Sequence, residues 1–533
     1  MVYKARFLRI MGLRSPKTAE TPMNALMCKH APEIEFTLTG FDRLVFRGTL
    51  RTLACFQMFS RWIAYYGILL KDFGDWSLRV TEELKVRSLA RVQQQGRPIE
   101  YVGKASSSKE DLARHIAARD QITTGTVCVI KALETCASYE IHRDRGLHRL
   151  VLQPKVRQCQ VLYHYWIDPF WGWMNARIQT WVPFSIQVCV NGREWLAQRL
   201  RAKRLAFEQR DNCFIRLGDP GRAQTLMNEL LDTDWPARLD AIAQRLWPHF
   251  SRLLGDERLR YYWSAHQTEW ATDLKFRDPT VLAHHYPGLT RGGMVTFSCT
   301  DILRFLGKRP DPRFRGEVTG SYRVREQGLR MKHAVGGNSL KTYDKSGCIL
   351  RIEATINAPR DMKVFRHAEG QAGPKRWRPL RKGVADLKRR AALSDKANHR
   401  YMDALGLLST GRSLGDLVNP LCQSMIYHGR PVRGLRPWRA DERALLAAVA
   451  RPEWNLTGFR NRHLVALLCP QSPDLIRAAR RIHRLIRILR AHGLLAKLPH
   501  TNRYQLSPLG KEVTAAILQT QSLTSEDIRK LAA

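Results

Sequence analysis

The sequence of 533 residues predicts an α/β (α+β) multidomain protein, with a mixed sheet-and-helix core and a smaller C-terminal unit of helices and one hairpin. Three observations lead there. Strand-like and helix-like hydrophobic periods alternate over residues 33–155, the pattern of a layered arrangement. Turn-bounded runs rich in Val, Ile, Tyr and Trp dominate residues 156–358, with helical stretches between them. Helical periods then return over residues 401–435 and again over 436–533, beyond a basic Gly/Pro-rich stretch at 359–400.

Charge narrows the partner. A formal net charge of +40 points to a polyanion, most simply nucleic acid. A membrane is the rival surface, but there is no run of 18 apolar residues and no lipidation motif. The basic start, Met1 to Lys17, lacks the apolar segment of a signal peptide. Eleven cysteines are scattered without a C-x-x-C spacing, so reduced structural thiols are expected and no zinc site is evident. G-x-x-x-x-G-K-[ST] is absent, and no nucleotide cofactor is expected. The expected location is the cytoplasm, on the nucleoid if the source is bacterial.

Residues 1–32 read as a basic tail. Glu35 to Gly48 is strand-rich and carries Asp42 inside it. An acid on a first strand is where RNase H-like nucleases and many transposases place a metal ligand; pairing with Arg43 or Arg47 is the alternative. Leu53 to Leu70 and Thr81 to Gln95 have helical periods, and Ser107 with Glu110 has capping-box spacing before a third helix. The aromatics between Tyr163 and Phe184 suit either a sheet core or a platform for unpaired bases.

Residues 235–278 are expected to be helical, which places His266, Glu269 and Asp273 on one face. Two carboxylates and an imidazole there would bind Mg²⁺ or do acid–base work, or else pair with arginine. His284 and His285 are adjacent, so their side chains diverge and one metal rarely takes both. Met294 to Ser298 reads as a strand.

Asn338 to Asn357 is a hairpin with Ser346-Gly347 as a two-residue turn. That register pairs Asp344 with Ile349 and Thr342 with Arg351, and puts Thr342, Asp344, Arg351 and Glu353 on one face. The strings Tyr343-Asp-Lys345 and Arg351-Ile-Glu353 resemble the Y-x-K and R-x-E hairpin of replication initiators from filamentous phages and related plasmids. The resemblance covers about twenty residues. It implies nicking of single-stranded DNA by a tyrosine at a metal-assisted site. A charged hairpin, with Arg351 paired to Glu353 or Asp344, is the alternative. The basic stretch at 359–400, with Trp377 among arginines, reads as a linker or a phosphate-tracking segment.

The C-terminal unit is organised around one helix. Ser472-Pro473-Asp474 is a start signal and Gly493 a stop signal. Ile482, Leu485, Ile486 and Leu489 form one apolar stripe, with Arg477, Arg480, Arg484 and Arg487 opposite. No carboxylate follows Asp474 in this helix, so the arginines repel one another unless a polyanion neutralises them. Leu494 to Leu498 and Arg503 to Leu506 flank a turn, and Ser507-Pro508 opens a last helix. The order helix, helix, strand, turn, strand, helix resembles the winged-helix superfamily over roughly 80 residues. It implies a recognition helix in a DNA major groove, with the wing residues His500, Asn502 and Arg503 near phosphate or minor groove. Such domains also dock proteins.

The sequence therefore points to a DNA-binding protein of mobile-element type, transposase-like or replication-initiator-like, that cleaves DNA strands with Mg²⁺ or Mn²⁺. Asp42, Glu269, Asp273 and Glu353 are the candidate catalytic carboxylates. A non-enzymatic regulator or nucleoprotein scaffold needs only the arginine helix and the basic segments. An RNA-binding protein is the third option. Convergence of three carboxylates within about 5 Å is what metal-assisted cleavage requires.

Overall fold

The computed structural model describes residues 24–103, 108–146, 148–308, 316–325, 328–367, 373–408, 414–451, 453–454, 458–499 and 501–522. Most of the basic tail, and with it the Met1–Lys17 start, lies outside them, as does His500.

A short helix, α1 (Ala25–Lys29), leads into β1 (Ile34–Leu50), a strand whose Val, Phe and Leu content favours extended backbone. Helices α2 (Arg51–Ala54), α3 (Phe56–Tyr65) and α4 (Phe73–Gln94) follow, and bury Phe59, Trp62, Trp76, Val80 and Leu84 in the main core. After β2 (Ile99–Val102) comes α5 (Lys109–Arg119), capped by Ser108, whose hydroxyl accepts from the Asp111 N–H. Strands β3 (Gly125–Asp144) and β4 (Arg149–Asp168) form a long hairpin, continued by β5 (Gly172–Gln179) and β6 (Ile186–Asn191). Asn191 caps α6 (Gly192–Ala202) by accepting from the N–H groups of Arg193 and Glu194. A small hairpin, β7 (Phe207–Arg210) and β8 (Cys213–Leu217), precedes α7 (Pro220–Glu229), α8 (Trp235–Leu246) and α9 (Phe250–Leu253).

Next is β9 (Tyr261–Phe276), where a helix was expected. Its Tyr, Trp and Thr content favours strand, and it lies between β1 and β13 with both edges paired. Helices α10 (Pro279–Thr296) and α11 (Cys299–Phe305) follow; residues 294–296, expected as strand, are the last turn of α10. Strands β10 (Thr319–Arg325), β11 (Gly328–Val335), β12 (Asn338–Lys345) and β13 (Ile349–Ile356) form a meander, and β14 (Lys363–Arg366) pairs with β15 (Arg376–Pro379). Helix α12 (Leu387–Leu408) then takes up the last third of the 359–400 stretch that reads in sequence as linker, and runs beyond it.

One sheet of eleven strands, ordered β10-β11-β12-β13-β9-β1-β6-β5-β4-β3-β2, spans both sides of residue 155. It is antiparallel except where β2 meets β3. Strand β13 is buried along its whole length and has two different faces. Leu350, Ile352, Ala354 and Ile356 join Tyr401, Met402 and Leu405 of α12 in an apolar core. Asn398 of α12 pins that layer: its amide donates to the carbonyls of Trp270 (3.0 Å) and Ile352 (3.1 Å) on adjacent strands. The other face carries Arg351 and Glu353, and α6 with the β7–β8 hairpin lies over it through contacts from Arg193 and Asn212.

The C-terminal elements share a separate core that includes Leu445, Ile482, Ile486, Leu489 and Val513. In order they are α13 (Leu414–Cys422), the hairpin β16 (Met425–Tyr427) and β17 (Arg430–Val432), α14 (Ala440–Val449), α15 (Asn461–Leu468), α16 (Leu475–Ala491), the hairpin β18 (Leu495–Lys497) and β19 (Tyr504–Leu506), and α17 (Pro508–Ser522). Phe459, just before α15, makes an isolated bridge to Tyr504 and so adds a third extended segment to the hairpin. Asp474, rather than Ser472, is the N-cap of α16 and accepts from the Arg477 N–H. Among the described residues no helix is long and apolar enough to cross a membrane.

Close approach of α6 to β1 fixes how the charged face is built. A Cβ at Gly192 would lie 1.9 Å from the Phe41 carbonyl oxygen, a backbone atom that cannot move aside cheaply. Gly192→Ala is expected to cost about 2 kcal/mol or more, by analogy with overpacked cores, seen as a lowered melting temperature. Gly288→Ala, where a Cβ meets nothing within 4 Å, should leave it unchanged or slightly higher.

Candidate functional site

The site lies on the charged face where β12, β13, β9 and β1 run side by side. Lys341 pairs with Glu353, Glu353 with Ala271, and Arg351 with both Tyr343 and Asp273. Side chains two residues apart on a strand share a face, so Lys341, Tyr343, Arg351, Glu353, Glu269 and Asp273 project to one side. Asp42 joins them through a register shift. Phe41 pairs with Trp270 and Arg43 with Glu269, which leaves Asp42 as the extra residue of a β-bulge. Bulges re-aim side chains in this way.

Asp42, Glu269 and Glu353 converge, with one carboxylate oxygen from each within 4.8 Å of the other two. Asp42 and Glu353 are buried and Glu269 is half-buried. Three acidic groups so placed on one sheet repel one another, and cations meet them. The Lys341 ammonium bonds Glu353 (2.5 Å) and Glu269 (3.1 Å), at the position a divalent ion between these acids would contest. Arg351 Nη1 lies 3.3 Å from Asp42 Oδ1, an ion pair without aligned hydrogen-bond geometry, and the Asn212 amide donates to both Asp42 oxygens (3.0 and 3.2 Å).

Asp273, the fourth acid of the sequence reading, stands apart from this trio. Arg351 grips it twice, Nε to Oδ1 (2.5 Å) and Nη2 to Oδ2 (2.8 Å), and Arg193 Nη2 reaches Oδ2 (3.0 Å). Burial opposes its charged form, yet Arg351 and then Arg193 hold its carboxyl below the usual carboxylate range. Its oxygens are committed to guanidinium groups, so it has the character of a counter-ion. His266 also stands apart. It is exposed, at a second register shift of β9, and the shared helical face expected for it with Glu269 and Asp273 does not exist because the segment is a strand.

The hairpin register differs from expectation by one residue. Ser346 and Gly347 do turn the chain, both at positive φ, and the Cys348 N–H donates to the Lys345 carbonyl. However, Cys348 is an additional residue in the loop, so Lys345 pairs with Ile349 and Tyr343 with Arg351. That slip moves Lys341, Tyr343 and Lys345 onto the acidic face in place of Thr342 and Asp344. Lys341 is the site residue that sequence reasoning missed; its signal was the alternation Lys341, Tyr343, Lys345 itself. Burial pushes the Tyr343 phenol up to about 12, so as an attacking oxygen it would need a base. Burial and then the Glu269 charge push the Glu353 carboxyl above the usual carboxylate range, against the pull of Lys341.

A second set of candidate contacts is at the surface. Arg477, Arg480 and Arg484 of α16 are exposed, and Arg487 is half-buried beside the β16–β17 hairpin. None of these four makes an ion pair among the described residues. Asn502 is exposed, and Arg503 donates to the Gly458 carbonyl (3.1 Å). The aromatics at 163–184 are largely core: Tyr165, Trp166, Trp171, Trp173 and Phe184 are all buried. Phe170 is the exposed one among them, and a more exposed pair lies elsewhere. Phe365 and Trp377 face each other across β14–β15, 57% and 66% exposed, with ring centroids 5.7 Å apart. Comparison with known proteins finds no matching family model, no matching curated protein and no matching solved structure.

The raised Glu353 carboxyl has a pH consequence. Its folded-state pKa exceeds its unfolded value of about 4.3, so from about pH 4 into the neutral range the unfolded chain loses this proton first, and stability falls as pH rises. Glu353→Gln removes that titration. The melting temperature of the variant minus that of the wild type should grow more positive between about pH 5 and pH 7. A pH-independent difference would remove Glu353 as the titrating group.

Proposed function

We propose that this protein binds duplex DNA through a C-terminal winged helix and cuts or joins DNA strands at the Asp42–Glu269–Glu353 centre. One observation carries the first half. α16 presents Arg477, Arg480 and Arg484 to solvent with no carboxylate partner among the described residues, a face that needs polyanion to relieve its own repulsion. The surrounding order of α14, the Phe459 segment, α15, α16 and the β18–β19 hairpin supports reading that face as a recognition helix with a wing. Exposed Asn502 at the hairpin tip suits a phosphate contact.

For the second half, three converging carboxylates in a chain of net charge +40 support a hard divalent cation, Mg²⁺ or Mn²⁺. Such an ion would polarise a phosphate oxygen and activate the attacking oxygen. Asp42, Glu269 and Glu353 would hold it, with Lys341 turned to the developing negative charge and Arg351 keeping Asp42 in place. The basic aromatic pair at Phe365 and Trp377, flanked by Arg376 and Arg378, suits stacking of unpaired bases. Mobile-element proteins that cut and join DNA are the class these parts fit. A second reading, a scaffold or regulator without chemistry, is favoured by one observation: Lys341 and Arg351 already pair with the three acids.

Three measurements test this. Replacing Arg477, Arg480 and Arg484 by Ala should weaken duplex binding for all sequences and lower the salt slope by about 2 to 3, near 0.9 per lost phosphate contact. An unchanged slope would remove α16 from the interface. Trp377→Ala should cost single-stranded DNA about 1–3 kcal/mol of affinity and leave duplex binding unaffected. Supercoiled and single-stranded DNA incubated with Mn²⁺ or Mg²⁺ should be nicked, but not in EDTA. Glu353→Gln should slow nicking by more than the roughly 10- to 100-fold that losing an outer-shell partner costs. Tight binding without cleavage under any metal would establish the scaffold reading.

A further inference from the structure

A different cluster lies at the other end of β9, where the chain's first helix meets α10. His30 closes α1 with its N–H on the Leu26 carbonyl. The next turn folds back, and the Glu33 N–H donates to the His30 carbonyl (2.9 Å). That turn sets the Glu33 carboxylate against His30 Nδ1. The Arg277 N–H then ties the Glu33 carbonyl to the end of β9 (2.8 Å). His285 arrives from α10, and its ring centroid lies 4.8 Å from that of His30. His285 lies 252 positions beyond Glu33 in sequence, outside the reach of any spacing motif.

The His30–Glu33 ion pair leaves two facts unexplained. His30 is only 2% exposed, and its Nε2 has no hydrogen-bond partner, an orphan that buried polar atoms rarely tolerate. His285 is turned toward it although both rings carry protonatable nitrogens that repel when charged. A cation held in common through His30 Nδ1 removes the second difficulty, because it takes the place of the proton between His30 and Glu33 and draws both imidazoles to one charge; the Nε2 orphan is left as it is. One donor atom each from His30, Glu33 and His285 lies within 4.8 Å of the other two. In a tetrahedral zinc site with bonds of about 2.0–2.1 Å, donors sit about 3.3 Å apart. Rotation of the Glu33 side chain, 37% exposed, and of half-buried His285 covers the difference.

We propose that His30, Glu33 and His285 hold one zinc-class divalent cation, clamping α1 and the start of β1 to α10. Two imidazoles and a carboxylate form a three-ligand set that leaves a fourth position for water. The donor chemistry separates this site from the all-oxygen centre at Asp42, Glu269 and Glu353, which suits harder ions. His285 also lines a cavity of about 410 Å³ with Lys29, Arg291 and Glu512, which gives the fourth position access to solvent. The adjacent His284 is exposed, with its ring tilted 74° from that of His285, and is not a ligand.

The full-length protein, purified without chelator and dialysed, should retain close to one zinc per chain by elemental mass spectrometry. After metal removal, Co²⁺ should bind with one-to-one stoichiometry and give the visible bands of a tetrahedral site with nitrogen ligands. His285→Ala should weaken Co²⁺ at least 100-fold, while Glu353→Gln leaves the spectrum and its midpoint unchanged. Zinc should raise the melting temperature of the wild type and not that of His285→Ala. His285 is only half-buried, so that variant is the primary one if His30→Ala fails to fold. Absence of saturable binding, or a Co²⁺ spectrum that survives His285→Ala, would overturn the proposal. Loss of the spectrum in Glu353→Gln alone would reassign the ion to the acidic centre.

Discussion

The guanidinium of Arg351 is the fixed point of the central sheet. It is fully buried and joins three strands: its own β13, β9 through Asp273, and β1 through Asp42. An isolated charge at that depth would be prohibitively costly, so the group exists only because its partners are already in place. Arg193, equally buried, reaches the same Asp273 from α6. Such networks are strongly destabilising to break one member at a time, by about 3–5 kcal/mol for a buried pair. They contribute little net stability over a well-packed apolar core. What they do contribute is position. Asp42 is held by the Asn212 amide and the Arg351 charge, and Arg351 by Asp273.

The two faces of β13 show how the protein keeps such a centre. On one side an apolar layer under α12 supplies hydrophobic burial, and Asn398 bonds the backbone of two adjacent strands. On the other, acids and cations are arranged nearly one to one. The apolar side holds the strands rigidly enough that the charged side can carry three mutually repelling carboxylates. Lys341 completes that balance, since it touches both Glu269 and Glu353. The C-terminal unit has its own core and keeps its arginines outside it.

Some of this was legible in the sequence. The first strand around Asp42, the hairpin at 338–357 and the main helix of the C-terminal unit were visible because strong local signals specify them: alternation, turn residues and caps. Local signals misled at β9. There the three-and-four spacing of His266, Glu269 and Asp273 outweighed a run of Tyr, Trp and Thr that favours strand. They failed at α12 for another reason. Its buried stripe includes Arg390, Ser394 and Asn398, so a helix that is deeply packed looks polar and linker-like. The acidic centre was visible as a set of acids but not as a geometry. Which three converge depends on one bulge at Asp42, and which cation meets them depends on one additional residue at Cys348. Neither has a sequence signature, and each moves a side chain to the other face. The pairing of His30 with His285 is set wholly by tertiary packing.

The order of strands in the sheet also bears on synthesis. β1 is the first strand of the chain, yet its neighbours are β6 and β9, and the centre it serves is completed by Glu353, 311 residues after Asp42. At about 5–20 residues per second, a ribosome needs roughly 15 to 60 s to deliver the last partner. Until β6 and β9 have emerged, β1 is a long strand with open edges, the kind of segment that pairs with the wrong chain. Whatever shelters β1 before those two strands are made therefore limits such mispairing.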